Sequence, residues 1–89
     1  MKRTELFQHA LEECLRHLAA HPDFRPLKSI ENQLRYLLDL VEGRRQDRDL
    51  LATINLGLLA AREIETMDMQ FANLLYDVDE QVDLLKSES

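Results

Sequence analysis

Apolar residues return every three or four positions through four successive stretches, a helical period that constrains this chain more than any other feature. In the first stretch Leu6, Phe7, Ala10, Leu11, Cys14, Leu15 and Leu18 share one side, with Thr4 placed as an N-cap. It should stop at His21, because the residue before Pro22 is pushed out of helical geometry. The second stretch sets Leu27, Ile30, Leu34, Leu37, Leu38 and Val41 in register and ends at Gly43, a natural residue for the left-handed turn after a helix. Asp47 is positioned to cap a third helix carrying Leu50, Leu51, Ile54, Leu58 and Ala61, and Asp68 to cap a fourth carrying Phe71, Leu75, Val78, Val82 and Leu85. The expectation is therefore one all-α domain, with helices over residues 5–21, 27–42, 48–65 and 69–86. Short connections make successive helices antiparallel neighbours in a small up-and-down four-helix bundle. Two glycines and two prolines in 89 residues leave too few turn formers for an all-β chain and cannot supply a glycine-rich phosphate loop.

Charge is spread unevenly along this frame. The formal net charge is −6, which argues against a general affinity for nucleic acid or anionic membranes. Residues 1–62 are nearly neutral, whereas residues 63–89 carry eight acidic side chains against one base, Lys86. That segment reads either as a solvated helix or as a surface presented to a basic partner. No apolar run approaches the ~20 residues a membrane span needs, and acidic and polar residues from Glu5 to Glu13 interrupt any signal-like segment. The expected location is the cytoplasm. The lone Cys14, on the apolar stripe, fits as a buried, inert thiol.

Chemistry-bearing patterns are sparse. His9, Glu13, His17 and His21 recur one turn apart, a spacing that can chelate a transition metal, but the row winds across the polar face and no Glu-x-x-His pair answers it from another helix. No metal or cofactor is expected. Ser29, Ser87 and Ser89 lack a nucleophile context and Cys14 faces inward, so the chain reads as a non-enzyme. Arg44, Arg45 and Arg48 cluster beside Asp47 and Asp49, where they read as a solvated turn at the end of helix two.

Helix surfaces are more informative. If helix three faces inward through Leu50, Ile54, Leu58 and Ala61, its other side still shows Ala52, Leu56, Leu59 and Ala60, with Glu63 one turn on. A helix apolar all round is either central or covered by something else, and the occupant is then a protein partner or a second copy of the chain. Gly57 inside it costs about 1 kcal/mol against alanine, which makes sense where another backbone approaches closely. On helix four Tyr76, Asp79, Glu80 and Asp83 lie away from the apolar stripe, and on helix two Gln33, Tyr36 and Leu40 form a comparable outer row. Tyrosine anchors and carboxylates suit an interface with a basic cleft, although each row also reads as an ordinary exposed face.

Taken together, Asn32-Gln-Leu-Arg-Tyr36, Asp47-Arg48, Leu56-Gly57-x-x-Ala60-x-x-Glu63 and Asp68 resemble the small helical immunity proteins of type VI secretion systems, above all those paired with NAD(P)+-hydrolysing effector toxins. The resemblance runs from Leu6 through helix four, and departs at Met69, where the family pattern has a proline. It implies a non-enzymatic cytoplasmic inhibitor that binds its cognate effector toxin domain and occludes the active site. Residues carried over are Gln33, Tyr36, Asp47, Arg48, Gly57, Glu63 and Asp68, each with a structural alternative, Asp47 and Asp68 as caps and Gly57 in packing. With the surface rows, the candidate partner-binding set is Gln33, Tyr36, Leu56, Leu59, Glu63, Asp68, Tyr76, Asp79 and Glu80. The competing reading is a homo-oligomeric adaptor or structural bundle, with helix three forming a symmetric homodimer contact.

Overall fold

A computed structural model describes residues 1–88, and among them all regular structure is helical. Helix α1 spans Arg3–Ala20, α2 spans Arg25–Val41 and α4 spans Met69–Ser87. Between α2 and α4 the chain makes a 3-10 helix, Asp49–Thr53, and then α3, which starts in α geometry over Leu56–Leu59 and continues in π geometry over Ala60–Ile64. The helices pack as a ring: α1 on α2, α2 on α3, α3 on α4, and α4 back on α1. Side chains fix the directions. Arg3 at the start of α1 pairs with Glu88 past the end of α4, while His17 near the end of α1 pairs with Asp68 before α4, so the two run antiparallel. The antiparallel up-and-down bundle is thus the observed fold, about 35 × 24 × 20 Å across.

The core follows the apolar stripes of the three long helices. Phe7, Ala10 and Cys14 of α1, Leu27, Ile30, Leu34 and Leu37 of α2, and Phe71, Leu75 and Val78 of α4 are wholly buried. Cys14 is inert there: its Sγ donates to the Leu27 carbonyl at 3.3 Å, and burial pushes the thiol pKa up to about 12. Helix α2 ends as expected, with Gly43 at φ 83°. The Arg44 N–H returns to the Asp39 carbonyl at 2.8 Å and the Gly43 N–H to Leu40 at 3.3 Å, the paired bonds of a Schellman turn. Asp68 caps α4 by accepting the Phe71 N–H at 3.1 Å.

Two expected caps are not made. Helix α1 begins before Thr4, with Lys2 at the cap position, and Asp47 pairs with Arg45 at 2.9 Å instead of capping anything. The main departure is the third helix. In place of one helix over residues 48–65, the backbone breaks at Ile54, which is extended at ψ 128°. Thr53 and Ile54 are β-branched and Asn55 is a poor helix former, so three adjacent residues resist helical geometry.

Candidate protein-binding surface

The break exchanges the faces of the third helix. Leu51, Leu56, Ala60 and Ile64 point inward, while Leu50 and Leu58, expected in the core, stand 40% and 50% exposed. The π turn is what keeps that inner row aligned. Buried residues four apart drift by about 40° per step round an α-helix, and the wider turn, closed by Glu65 N–H to Ala60 O at 3.0 Å, takes the drift back.

Several predicted contact residues are consequently occupied in holding the fold. Leu56 is fully buried and Tyr36 is 6% exposed, so the expectation that both lie on an outer face is corrected. The Tyr36 hydroxyl donates to the Asp47 carbonyl at 3.0 Å and its ring lies 4.8 Å beneath the Arg45 guanidinium. Burial, with Asp47 nearby, raises its pKa above the ordinary range. Gln33 grips the break: its Nε2 donates to Asn55 Oδ1 at 2.7 Å and its Oε1 accepts the Asn55 N–H at 3.0 Å. Asp68, besides capping α4, accepts from His17 Nε2 at 2.9 Å, and the His17 ring stacks on Phe71 with centroids 5.2 Å apart. The His17 bond and the Phe71 N–H hold the Asp68 carboxyl below the usual carboxylate range.

Gly57 has a different reason from the one its sequence suggests. A Cβ there would meet Asp79 Oδ2 at 2.7 Å, so it is a carboxylate of α4, not a backbone, that approaches. That carboxylate lies against the start of α3, where Asn55 supplies no side-chain cap. Burial and the neighbouring Asp83 raise the Asp79 pKa.

The rest of the candidate set divides between two faces. Leu59 and Glu63, one turn apart, lie on the side of α3 turned away from Gly57, where Leu59 already packs partly on the core. Tyr76 and Glu80 lie on the edge of α4 that meets α3, where the Tyr76 hydroxyl donates to Glu65 Oε2. That bond, with burial, raises the tyrosine pKa. The half-exposed Leu58 and the exposed Ala61 belong to this second face and were missed. The signal for them was the Thr53-Ile54-Asn55 break, which shifts the register of everything after it.

Open depressions of about 280 Å³ beside Arg48 and Lys86, about 220 Å³ beside Leu11 and Arg35 and about 160 Å³ beside Gln33 and Tyr36 are small for a ligand site. Among the described residues no group of three or more His, Cys, Asp or Glu is arranged to hold a metal, and no helix is long and apolar enough to cross a membrane.

A model of the Tsi6 family matches residues 2–83. The chain belongs to the Tsi6 family. The immune protein Tsi6 of Pseudomonas aeruginosa is 31% identical over 77 residues, covering 86% of this chain and 82% of that protein. The solved structure of Tsi6 from Pseudomonas aeruginosa superposes with a TM-score of 0.86 at 29% identity, over 92% of this chain and 95% of that one. A chain in the structure of Tse6 in complex with Tsi6 superposes at 0.88 and 28% identity, over 99% of this chain and 93% of that one. The resemblance carried by the Asn32–Tyr36, Leu56–Glu63 and Asp68 motifs is borne out: this is a type VI immunity protein family. Of those motif residues, Gln33, Tyr36, Arg48 and Asp68 hold the irregular segment or the caps beside it, and Gly57 leaves room for Asp79. Glu63 has no such contact among the described residues.

Proposed function

We propose that the chain is an immunity protein that binds the toxin domain of its cognate type VI effector and occludes its active site, and that this domain is an NAD(P)+ glycohydrolase. The observation that carries the first part is the near end-to-end likeness, over 99% of this chain, to a chain in the structure of Tse6 in complex with Tsi6. The enzyme class rests on the motif resemblance from Asn32 to Asp68. Inhibition is steric. A bundle whose buried thiol has its pKa pushed up to about 12, and whose motif histidine, His17, is tied to Asp68, offers shape and charge rather than chemistry. The candidates still at the surface for that contact are Leu59 and Glu63 on one face and Tyr76 and Glu80 on the other. They work without a cofactor and in the cytoplasm, where the toxin acts.

The test is direct. The cognate effector toxin domain is purified and its NAD(P)+ hydrolysis followed as the chain is titrated in. Hydrolysis is expected to stop at a one-to-one ratio. Continued hydrolysis with the chain in excess overturns the reading, and a toxin domain that binds the chain but cleaves no NAD(P)+ overturns the enzyme class alone.

A further inference from the structure

Of the two faces that the surface candidates occupy, only one has apolar area left to bury. On the Leu59 and Glu63 side, Leu59 already packs on the core and Glu63 is half-buried. On the other side small residues line the seam between α3 and α4. Gly57 sits against Asp79, and Glu65, two turns on, is bonded to Tyr76, with exposed Ala61 midway between them. Small side chains keep this seam low, and beside it Leu58 projects half-exposed, with none of the inward role its neighbour Leu56 has. Carboxylates flank it. Glu80 and Asp83 are exposed on α4, and the one base on this stretch, Lys86, lies 4.0 Å from Asp83 at the far end.

Resting on the immunity reading, we infer that the α3–α4 seam, with Leu58 projecting beside it and Tyr76, Glu80 and Asp83 along its edge, is the surface that grips the toxin domain. The partner surface it fits is an apolar pit rimmed by Lys or Arg. Charge identifies that occupant: Glu65, Asp79, Glu80 and Asp83 lie along the seam against Arg62 and Lys86, so an acidic face would be repelled and a second copy would bring like charge to like. The apolar centre supplies the duration of the contact, and the acidic edge supplies the speed of encounter. The π turn belongs to the same device. By resetting the phase of α3 it places Leu56, Ala60 and Ile64 inside while leaving Leu58 and Ala61 outward.

The experiment compares variants of the whole chain for binding to the purified cognate effector toxin domain, with circular dichroism checking that each is folded. Leu58→Arg should raise Kd by about tenfold or more, mainly through faster dissociation. The pair Glu80→Lys and Asp83→Lys should slow association by about tenfold at low salt, and the difference should shrink as salt is raised. Glu12→Lys, on the exposed face of α1, serves as the control and should change neither. Seam variants that bind as tightly and as fast as the unsubstituted chain overturn the surface while leaving the immunity reading standing. Loss of equal size in the α1 control also overturns it. If the unsubstituted chain itself fails to bind, the immunity reading falls and the seam falls with it.

Discussion

From Arg3 to Val41 two long helices bury Phe7, Ala10, Leu27, Ile30 and Leu34 completely, and their backbone bonds are the ordinary ones of regular helices. From Asp49 to Ile64 the chain also buries Leu51, Leu56, Ala60 and Ile64, yet it changes conformation three times and is pinned by side chains from its neighbours. Gln33 of α2 holds Asn55, the Tyr36 hydroxyl holds the Asp47 carbonyl, and Tyr76 of α4 holds Glu65. Arg48 reaches the other way, donating its Nη2 to the Leu85 carbonyl. A short irregular segment satisfies fewer of its own backbone groups, so neighbouring side chains must do it. One half of the molecule is held by area, the other by individually placed polar contacts. An immunity protein gains from that division, because the pinned half can change its outward residues without disturbing the stripes that fold the rest.

The comparison is broken most forcefully by removing area from the regular half. Leu34 is wholly buried in α2, and Leu34→Ala should cost about 2–5 kcal/mol, read as a lower denaturation midpoint. A cost below about 1 kcal/mol would mean that the long helices do not carry the core.

Removing a single polar contact should do less and do it locally. Arg48→Met loses the bond to the Leu85 carbonyl but also removes the buried Nε, which has no hydrogen-bond partner among the described residues. The two effects oppose each other, and the expected net loss is about 1 kcal/mol. Amide exchange should speed up at the C-terminal turn of α4 and over Asp49–Thr53, with α1 unaffected. Uniform acceleration across the chain would show that the irregular segment unfolds only with everything else.

The same division decides what the sequence could say. Helices α1, α2 and α4 were legible because long apolar side chains at helical spacing have one way to be buried together. Gly43 and Asp68 were legible because a left-handed turn and a helix cap each need particular chemistry. The third helix was not. Leu50, Ile54, Leu58 and Ala61 keep helical spacing across Thr53-Ile54-Asn55, so periodicity reads through a break that only local propensity marks. Tyr36 and Leu56 were consequently assigned outward. Long-range clamps such as Gln33 to Asn55 leave no periodic trace at all, since the partners lie 22 residues apart.

The smallest expected effect tests the junction between the halves. Asp68 joins α1 to α4 through two oxygens, Oδ1 on the Phe71 N–H and Oδ2 on His17 Nε2, with the Arg16 guanidinium 3.6 Å away. Its carboxyl is held below its ordinary value of 3.8, chiefly by the His17 bond. A carboxylate whose pKa is depressed on folding stabilises the native state above its unfolded pKa, and that stability is lost as pH falls through the folded value. Asp68→Asn keeps an acceptor for the Phe71 N–H but cannot ionise, so it isolates the charge from the cap. The unsubstituted chain should therefore be more stable than Asp68→Asn by less than about 1 kcal/mol at neutral pH, since the pair is partly exposed. That margin should hold down to about pH 4 and vanish below it, while the other acid-sensitive carboxylates cancel in the comparison. Denaturant midpoints of the two proteins measured from pH 6 to pH 2 give the result. A margin that stays constant to the lowest pH would mean that His17 and Asp68 meet as a neutral hydrogen bond, and that the halves are joined by the Asp68 cap and the His17–Phe71 stack alone.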